Sequence, residues 1–482
     1  MRNLTLLTDL YQLTMMYGYY KSDMMDVRAV FDMFYRQQNP RMNFAIFAGL
    51  EQLIDYINNL HFDEENIAYL RSLNLFDEGY LNVLRNFHFN GDIQAVPEGT
   101  VVFPDEPLIR VTGSIFEAQL VETALLNIIN HQTLIATKAS RVREAAESDN
   151  VLEFGLRRAQ GPDAGIYGAR AAVIGGANAT SNVLAGQMFG VPVRGTHAHS
   201  WVMSFPTELD SFRAYAKQFP STCMLLVDTY DTLKSGIPNA ITVFKELSEQ
   251  GYRPAGVRLD SGDLAYLSRE SRKMLDDAGF PDAQICASGD LDEVIIRDLK
   301  LQGARIDIWG VGTKLITSLD CPALGGVYKL SAEIIGTQVH PKIKISENPA
   351  KLTNPGLKKL LRIYSDYDNM ALADLIALEH EDIDETKPLT IFHPIDTWKQ
   401  KTLVDFHIKN LHVPIFKGGL QVYETPALMD IQAHAKQDLS TFWDQYKRVL
   451  NPHDYKVDLS DQLWMLKQSM LKNSPKVPPM QL

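Results

Sequence analysis

The chain has 482 residues, of which 45% are hydrophobic and 22% charged, values typical of a globular protein with more than one domain. Its formal net charge of −12 argues against a protein that binds nucleic acid through a broad basic surface, so anionic small molecules would need local basic clusters. No segment approaches the roughly eighteen consecutive apolar residues of a membrane-spanning helix, and we therefore expect no membrane span.

Two features of the sequence favour the cytoplasm. The N-terminal segment is interrupted by Thr8 and Asp9 and has no small-residue cleavage site, so it does not resemble a secretory signal. The three cysteines, Cys223, Cys286 and Cys321, are far apart and form no CxxC pair, which argues against a disulfide framework or a zinc site. We expect a cytoplasmic protein in a reducing compartment.

The N-terminal part of the chain mixes helical and strand-like patterns. Helical spacing predicts a helix over residues 49–60, and strand-like runs occupy residues 28–36 and 92–97. These patterns indicate an α+β domain over residues 1–112. Helical spacing from Ser114 to Ala146 then predicts two consecutive helices that bridge, up to about residue 148, to a second domain.

From residue 149 to 335 the pattern changes to short apolar runs that alternate with helical stretches. The runs end in polar or glycine-rich turns and cover residues 151–154, 224–227, 256–259, 285–287 and 306–309. Helices of crossover length are predicted at 241–250, 265–278 and 293–302. This alternation predicts a β/α barrel or a doubly wound sheet, with ligands at the carboxyl ends of the strands. Residues 336–482 are predicted to form an appended C-terminal extension with an unstructured end, and the N-terminal domain is the expected packing partner of this extension.

Two glycine-containing turns follow predicted strands and are candidate phosphate sites. One contains Ser288 and Gly289, and the other contains Gly310, Gly312 and Thr313. Glycine lets backbone amides approach an anion closely, and a following helix N-terminus offers unpaired N–H groups. The alternative is that these glycines serve only the turns themselves.

Arg258 and Asp260 lie two residues apart at the end of a predicted strand, so their side chains share one face. The arginine would hold a carboxylate or phosphate, and Asp260, a candidate catalytic residue, would accept from ribose hydroxyls or help to bind magnesium. The alternative is a structural ion pair between the two.

A third strand end carries Phe154 and Arg157, which would stack on a flat ring and meet an anionic group respectively. Core packing is the alternative for Phe154, and for the neighbouring Arg158 we favour a solvated position.

Polar residues in two further segments leave several readings open. His197 and His199 lie two residues apart, but no further Cys or His nearby completes a metal site. His199 is either an ordinary hydrogen-bonded residue or a nucleophile toward a phosphoryl group. Asp228 and Asp231 are better suited to cap a helix or to support the site than to act directly in catalysis.

Taken together, these segments resemble the nicotinate phosphoribosyltransferase family, and its Gram-positive bacterial branch in particular. The resemblance spans nearly the whole chain and is carried, in order, by TDLYQLTM, FGLRRAQGPD, GGANATSN, RGTHAHSW, GVRLDSGDL, ASGDL and WGVGTKL. It implies a type II phosphoribosyltransferase fold of the α/β class: an N-terminal α+β domain, an irregular β/α barrel and a C-terminal extension.

The resemblance also assigns roles to single residues. It implies that His199 is transiently phosphorylated by ATP, whereas His197 falls at a variable position of the motif. It implies that Tyr11 stacks on nicotinate, presented to the barrel of a neighbouring subunit.

Further positions correspond to substrate contacts in the family. Thr196 and Arg258 match nicotinate-contacting positions, and Thr313 with the amides around Gly312 matches phosphate contacts. Phe154 and Arg157 match a Phe-Gly-x-Arg element that handles the base and the substrate phosphates.

The implied reaction joins nicotinate to phosphoribosyl pyrophosphate with ATP as co-substrate, giving nicotinate mononucleotide for NAD synthesis. Mg²⁺ would be held mainly through substrate phosphates, and the enzyme would be a homodimer with sites near the subunit boundary. The alternatives are a sister transferase for nicotinamide or quinolinate and a binding protein that lost turnover. The Gly-Thr-x-Ala-His motif argues against the nicotinamide transferase, and the chain length argues against the quinolinate transferase. The complete motif set argues against a binding protein without turnover.

Overall fold

The computed structural model describes residues 3–37, 42–346, 348 and 351–473. The predicted unstructured end lies outside these residues from position 474. The chain divides into two compact units: the first comprises residues up to 133, 323–426 and from 437 onward, and the second comprises 134–322 and 427–436.

The N-terminal segment contains the predicted mixture of helices and strands. Its helices are α1 (Leu10–Lys21), α2 (Leu50–Asn58), α3 (Glu64–Ser72), α4 (Glu78–Arg85), α5 (Ile115–Leu120) and α6 (Glu122–Ala146). Its strands are β1 (Arg28–Tyr35), β2 (Ala45–Ile46), β3 (Asp92–Ala95), β4 (Val101–Val102) and β5 (Ile109–Ser114). Helices α2, α5 and α6 and strands β1 and β3 confirm the predicted elements. A capping box between Ser114 and Glu117 starts α5, because each side chain pairs with a backbone N–H of the first turn.

The middle segment alternates strands with helices. Its strands are β6 (Asn150–Glu153), β7 (Ala179–Thr180), β8 (Met224–Leu226), β9 (Gly256–Leu259), β10 (Gln284–Ser288) and β11 (Ile308–Val311). Its helices are α7 (Pro162–Ile174), α8 (Val183–Phe189), α9 (His199–Met203), α10 (Glu208–Gln218), α11 (Ile237–Glu249), α12 (Leu264–Asp277), α13 (Glu293–Leu301) and α14 (Thr313–Ile316). Short 3₁₀ turns cover Leu156–Arg158 and Pro220–Thr222, and a π-turn covers Thr232–Gly236.

These middle strands form one parallel sheet in the order β7-β6-β11-β10-β9-β8, six strands within the described part of the chain. With the helices between its strands, this sheet forms a partial barrel and confirms the predicted α/β class. The carboxyl ends of parallel strands meet at one edge of a sheet, so the residues that follow these strands are gathered together.

Two details of this sheet differ from the sequence prediction. The fifth strand is predicted over 306–309, but β11 runs from Ile308 to Val311, so Gly310 lies inside the strand, paired with Ser288 and Leu152. Strand β7 was missed because its two residues are too short to show a period.

The C-terminal segment is rich in strands. They are β12 (Gly326–Ile335), β13 (Gln338–Pro341), β14 (Lys358–Ser365), β15 (Ala371–Leu378), β16 (Leu389–Phe392), β17 (Gln400–Leu403), β18 (Phe406–Asn410), β19 (Val413–Lys417), β20 (Leu420–Gln421) and β21 (Val457–Leu459). Its helices are α15 (Leu428–Ser440), α16 (Asp444–Lys447) and α17 (Asp461–Asn473).

The first unit is built on two larger sheets. Among the described residues, one contains seven antiparallel strands in the order β13-β12-β1-β5-β3-β19-β20, which joins strands from both ends of the chain. The other contains β18-β14-β15-β21, and its buried face includes Ile363 and Leu375. In the described part of the chain, no helix is both long and apolar enough to cross a bilayer.

The centre of the first unit holds a buried ion cluster around Arg362. Its guanidinium bonds to the carboxylates of Asp374 at 2.7 Å and Asp438 at 3.1 Å, and it donates to the carbonyl of Val101 at 2.7 Å. The Arg362 and Asp374 side chains are fully buried, so each charge depends on its partner in the cluster for compensation.

Candidate functional site

The carboxyl edge of the parallel sheet brings together side chains from β9, β10 and the segment before α9. Arg258, near the end of β9, is the centre of this cluster. Its Nε donates to Ser288 Oγ at 2.8 Å, its Nη1 to Thr196 Oγ1 at 3.0 Å and its Nη2 to Asp260 Oδ1 at 2.7 Å. Ser288 Oγ also donates to the Asp260 carboxylate. The structure therefore brings these four predicted site residues into direct contact.

These bonds leave part of the arginine available. Each guanidinium nitrogen uses one N–H, so the second N–H of Nη1 and of Nη2 remains for a ligand. The Arg258 side chain is only 18% exposed, which strengthens any interaction with an anion there. Such a group can bind a planar carboxylate through two parallel hydrogen bonds.

Phe154 supplies an aromatic surface beside this arginine. The Arg258 guanidinium carbon lies 5.6 Å from the centre of the Phe154 ring, within cation–π range. The ring also lies against Gly310, where a Cβ atom would come within 2.6 Å of the ring. Gly310 therefore makes room for Phe154, a role that differs from the predicted turn.

Gly289 allows a close approach of two strand ends. Its φ of +97° lies in the left-handed region, and a Cβ there would meet the Asp260 carbonyl at 2.3 Å. Only glycine fits both conditions, so Gly289 keeps the loop after β10 against the end of β9.

Asp260 is held as a carboxylate by its neighbours. Burial raises its pKa, but the hydrogen bond from Ser288 and the charge of Arg258 outweigh burial and lower the pKa below its usual value. The backbone N–H of Asp260 donates to Asp228 Oδ2 at 2.8 Å, and Ser261 Oγ donates to the same oxygen at 2.8 Å. Asp228 thus supports the loop that carries Asp260, as the sequence predicted for a supporting group.

His199 begins α9 and faces the same cluster. Its Nδ1 lies 3.1 Å from Thr229 Oγ1, and its Nε2 lies 3.8 Å from Asp260 Oδ2. The imidazole is 41% exposed, so a dissolved substrate can reach it. When Nδ1 donates its proton to Thr229, Nε2 carries the lone pair that a nucleophile requires.

His197 has a different environment from His199. It is buried, its Nε2 accepts from the Leu226 N–H at 3.2 Å, and its ring packs on Phe212 and Tyr215. Burial lowers the pKa of His197 to about 4, so the ring is neutral at pH 7. These contacts support the β8 end and agree with the prediction that His197 is not the reactive histidine.

Asp231 confirms the predicted capping role. Its Oδ1 accepts from the Lys234 N–H at 2.9 Å and caps the π-turn that precedes α11.

Glu153 is a buried acid at this edge that sequence reasoning missed. It ends β6, and its carboxylate accepts from Thr180 Oγ1 at 2.6 Å and from the Gly155 N–H. Burial raises its pKa, although both hydrogen bonds oppose that rise. A sequence signal for this buried acid was present, because Glu153 is the one acidic residue in the otherwise apolar run 151–154.

The remaining predicted site residues do not share the hydrogen bonds of this cluster among the described residues. Thr313 is the first residue of α14, Gly312 is its N-cap, and both are partly buried. Arg157 and Arg158 are exposed in the 3₁₀ turn after β6, so Arg158 has the solvated position we favoured. Tyr11 belongs to the first unit, on α1, where it is 48% exposed.

The donor set at this edge suits a hard cation shared with a ligand. Oxygen from the Asp228 and Asp260 carboxylates is the kind of donor that Mg²⁺ prefers, and Asp228 Oδ1 is buried without a hydrogen-bond partner among the described residues. No group of three or more His, Cys, Asp or Glu residues in the described ranges is arranged to hold a metal alone.

The sequence matches known proteins over nearly its full length. Residues 6–130 match the nicotinate phosphoribosyltransferase (NAPRTase) N-terminal domain, and residues 357–467 match the nicotinate phosphoribosyltransferase C-terminal domain. The nicotinate phosphoribosyltransferase of Bacillus subtilis is 47% identical over 97% of this chain and 95% of its own. The human nicotinate phosphoribosyltransferase is 33% identical over 96% of each chain.

Solved structures agree with these matches. A crystal structure of human nicotinic acid phosphoribosyltransferase gives a TM-score of 0.85 at 31% identity, covering 96% of this chain and 99% of that chain. A nicotinate-nucleotide pyrophosphorylase from Pyrococcus furiosus gives 0.69 at 21% identity, covering 91% and 96% of the two chains, a likeness in fold alone.

Proposed function

The chain belongs to the nicotinate phosphoribosyltransferase family, and on that premise we propose that it joins nicotinate to phosphoribosyl pyrophosphate in an ATP-coupled reaction. The products are nicotinate mononucleotide and pyrophosphate, with ADP and phosphate from ATP and water, and the pathway is NAD synthesis. The observation that carries the proposal is the cluster of Arg258, Asp260, Ser288 and Thr196 beside Phe154 and His199.

Nicotinate is a flat ring with a carboxylate, and the cluster offers a partner for each part. The free N–H groups of Arg258 would bind the carboxylate, and the Phe154 ring would stack on the pyridine. Nicotinamide has no negative charge to pair with the guanidinium. The arginine therefore supports nicotinate over the amide.

The transfer reaction replaces pyrophosphate at C1 of the ribose with the pyridine nitrogen. The C–O bond breaks ahead of C–N bond formation, so positive charge develops on the sugar and negative charge on the leaving group. Asp260, kept ionised by its low pKa, would bind ribose hydroxyls and stabilise the sugar. Backbone amides at Gly289 and Gly312, with Ser288 and Thr313, are the proposed phosphate contacts, and Arg157 is available to meet a substrate phosphate. Gly310, paired inside β11, is not among these contacts.

ATP enters through His199. In this step Nε2 attacks the γ-phosphorus, the bond to the bridging oxygen breaks, and ADP leaves with that oxygen. Water later cleaves the phosphohistidine to histidine and phosphate. The contact between Nδ1 and Thr229 supports this role because it orients the ring, and when Nδ1 is the donor, Nε2 carries the free lone pair.

Mg²⁺ is the proposed metal, bound mainly through substrate phosphates, where it neutralises their charge. Asp228 and Asp260 are the carboxylates that would share it. Tyr11, exposed on α1, would stack on nicotinate in a neighbouring subunit of a homodimer. The cysteines are buried and free, which is compatible with the proposed cytoplasmic location.

The test is product formation from labelled nicotinate, phosphoribosyl pyrophosphate and Mg²⁺, with and without ATP, and with nicotinamide as the competing base. We expect nicotinate mononucleotide, more of it with ATP, and an acid-labile phosphoryl group on the enzyme. The variant His199→Asn should lose the phosphoryl group and the ATP stimulation, whereas the exposed control His88→Asn should keep both. Undiminished ATP stimulation in His199→Asn would refute the coupling.

A further inference from the structure

The first unit contains a large cavity whose lining is rich in lysine. Its volume is about 1080 Å³, at the upper end of the size of small-molecule sites. Among the described residues its lysines are Lys358, Lys399, Lys401, Lys456 and Lys467, and we call it the lysine cavity. All of its lining residues belong to the first unit, whereas the carboxyl edge of the parallel sheet belongs to the second.

The described lining of the lysine cavity carries one more lysine than aspartate, in a chain that is acidic overall. Its described lining contains five lysines and two histidines but four aspartates, in a protein with a net charge of −12. A local excess of positive charge in an acidic protein concentrates anions at that point.

The lysines differ in how they are paired. Lys358 lies 2.7 Å from Asp32, Lys399 lies 2.6 Å from Asp396, and Lys467 donates to Asn354 at 2.8 Å. Within the described part of the chain the Lys401 side chain forms neither a hydrogen bond nor an ion pair.

Lys401 and Lys456 both line the cavity, and the positive charge of Lys456 acts on Lys401. Burial lowers the pKa of Lys401, and repulsion by Lys456 lowers it further. Like charges held at one surface are stabilised by a bound anion. A phosphate between these two lysines would relieve their repulsion.

Two buried carboxylates give the cavity its second recognition element. Asp458 is fully buried and bonds to Lys456 through Oδ2 at 3.2 Å, while its Oδ1 has no hydrogen-bond partner among the described residues. Asp32 is also buried, and its Oδ1 is likewise without a partner there. Both residues line the cavity, so each offers an acceptor to a hydroxyl or amine of a ligand.

Helix α17 adds an aromatic wall. Trp464, Lys467 and Leu471 line the cavity at helical spacing and therefore share one face of the helix. The indole of Trp464 is fixed by a bond from Nε1 to the Pro394 carbonyl at 3.0 Å and by an edge contact with Phe392. A ring fixed in this way is a surface for stacking.

We propose that the lysine cavity is a second ligand site, separate from the transferase site, which binds a nucleotide-class molecule with its phosphate at Lys401 and Lys456. The ring of the ligand stacks along the Trp464 wall, and its hydroxyl or amino groups donate to Asp458 and Asp32. The size, the excess positive charge and the free acceptors are each explained by such a ligand.

The experiment is photolabelling of the full chain with azido-AMP, followed by peptide mapping. AMP is not a substrate of the proposed reaction, and mapping separates the two sites. We expect label on residues 393–401 or 454–471, and protection by unlabelled AMP but not by adenosine. Label confined to residues 154–313 would overturn the proposal, as would equal protection by adenosine or by inorganic phosphate alone.

Variants at one exposed lysine test the contact itself. Lys401→Glu should reduce AMP affinity at the labelled peptides by about tenfold or more, because it replaces a charge-assisted bond with repulsion. Lys401→Arg should retain binding, and so should Lys409→Glu at an exposed position on β18. Unchanged labelling in Lys401→Glu, with a melting temperature equal to that of the parent, would contradict the proposed phosphate position.

Discussion

The imidazole Nε2 of His199 and the carboxylate of Asp260 lie 3.8 Å apart, too far for a direct hydrogen bond. Asp260 instead bonds to Arg258 and Ser288, which hold its carboxylate in the ionised form by lowering its pKa. The histidine is therefore oriented by Thr229 and remains free to accept a phosphoryl group at Nε2.

The variant Asp260→Asn tests the need for a charged group at the sugar. We expect kcat/KM to fall by about a hundredfold or more, because the amide cannot stabilise a developing positive charge. Steady-state kinetics with nicotinate and phosphoribosyl pyrophosphate measure this. The exposed control Asp290→Asn should stay close to the parent, and full activity in Asp260→Asn would remove the residue from the mechanism.

The variant Thr229→Val tests the orientation of His199. Loss of the 3.1 Å contact at Nδ1 removes the group that orients the imidazole, and we expect phosphohistidine formation from ATP to slow by roughly tenfold. The acid-labile label measured over time gives the rate. Thr242→Val, at an exposed position on α11, is the matched control, and equal rates in the two variants would contradict the role.

The variant Gly310→Ala tests the space around Phe154. The added methyl group would lie 2.6 Å from the ring, so the ring must leave its present position beside Arg258. We expect KM for nicotinate to rise by about tenfold and stability to fall by about 1–3 kcal/mol. Gly18→Ala, where no atom lies within 4 Å, is the control. A normal KM would show that the ring position is unimportant for binding.

The variant Arg362→Met tests the buried ion cluster of the first unit. It leaves Asp374 and Asp438 without their partner, and we expect unfolding in urea to require about 3–5 kcal/mol less free energy. The ion pair of Arg213 and Glu246 lies at the surface and is the control for the buried cluster. Arg213→Met should unfold at nearly the parental urea concentration, and a similar result for Arg362→Met would mean that the cluster contributes little.

The buried His197 predicts a pH dependence of stability. Its pKa is about 4 in the folded chain and near 6.5 when unfolded, so the unfolded chain binds the proton more readily. This contribution to stability is present above pH 6.5 and is lost as pH falls toward 4, by about 3 kcal/mol at most. Urea unfolding at pH 7 and pH 4.5 should show a smaller acid-induced loss for His197→Gln than for the exposed control His88→Gln.

The sequence was sufficient to predict the parallel sheet because its strands and helices have clear periods. Strands β8 to β10 and helices α11 to α13 lie within a few residues of their predicted positions. The eight-residue strands β14 and β15 were not predicted. Arg362 and Asp374 interrupt their apolar patterns, and only the fold shows that these charges neutralise each other.

Part of the candidate site could likewise be predicted from the sequence, and part of it could not. The sequence could place Arg258 and Asp260 on one face, because that follows from the period of a strand. It could not show that Ser288 would join them, since this depends on the pairing of Cys286 with Arg258 between β9 and β10. The space that Gly310 leaves for the Phe154 ring also depends on how the strands pair. In the sequence, a glycine after an apolar run has the same pattern whether it forms a turn or leaves space for a neighbouring side chain.

Arg258 joins partners that are distant along the chain, with Thr196 62 positions before it and Ser288 30 positions after it. No short peptide contains this contact set, so it forms only when several strands have already paired. If nicotinate binds there as proposed, its binding reports the completion of folding in the second unit. Stabilisation of the chain by this ligand would distinguish a fully folded chain from a compact intermediate with the same helix content.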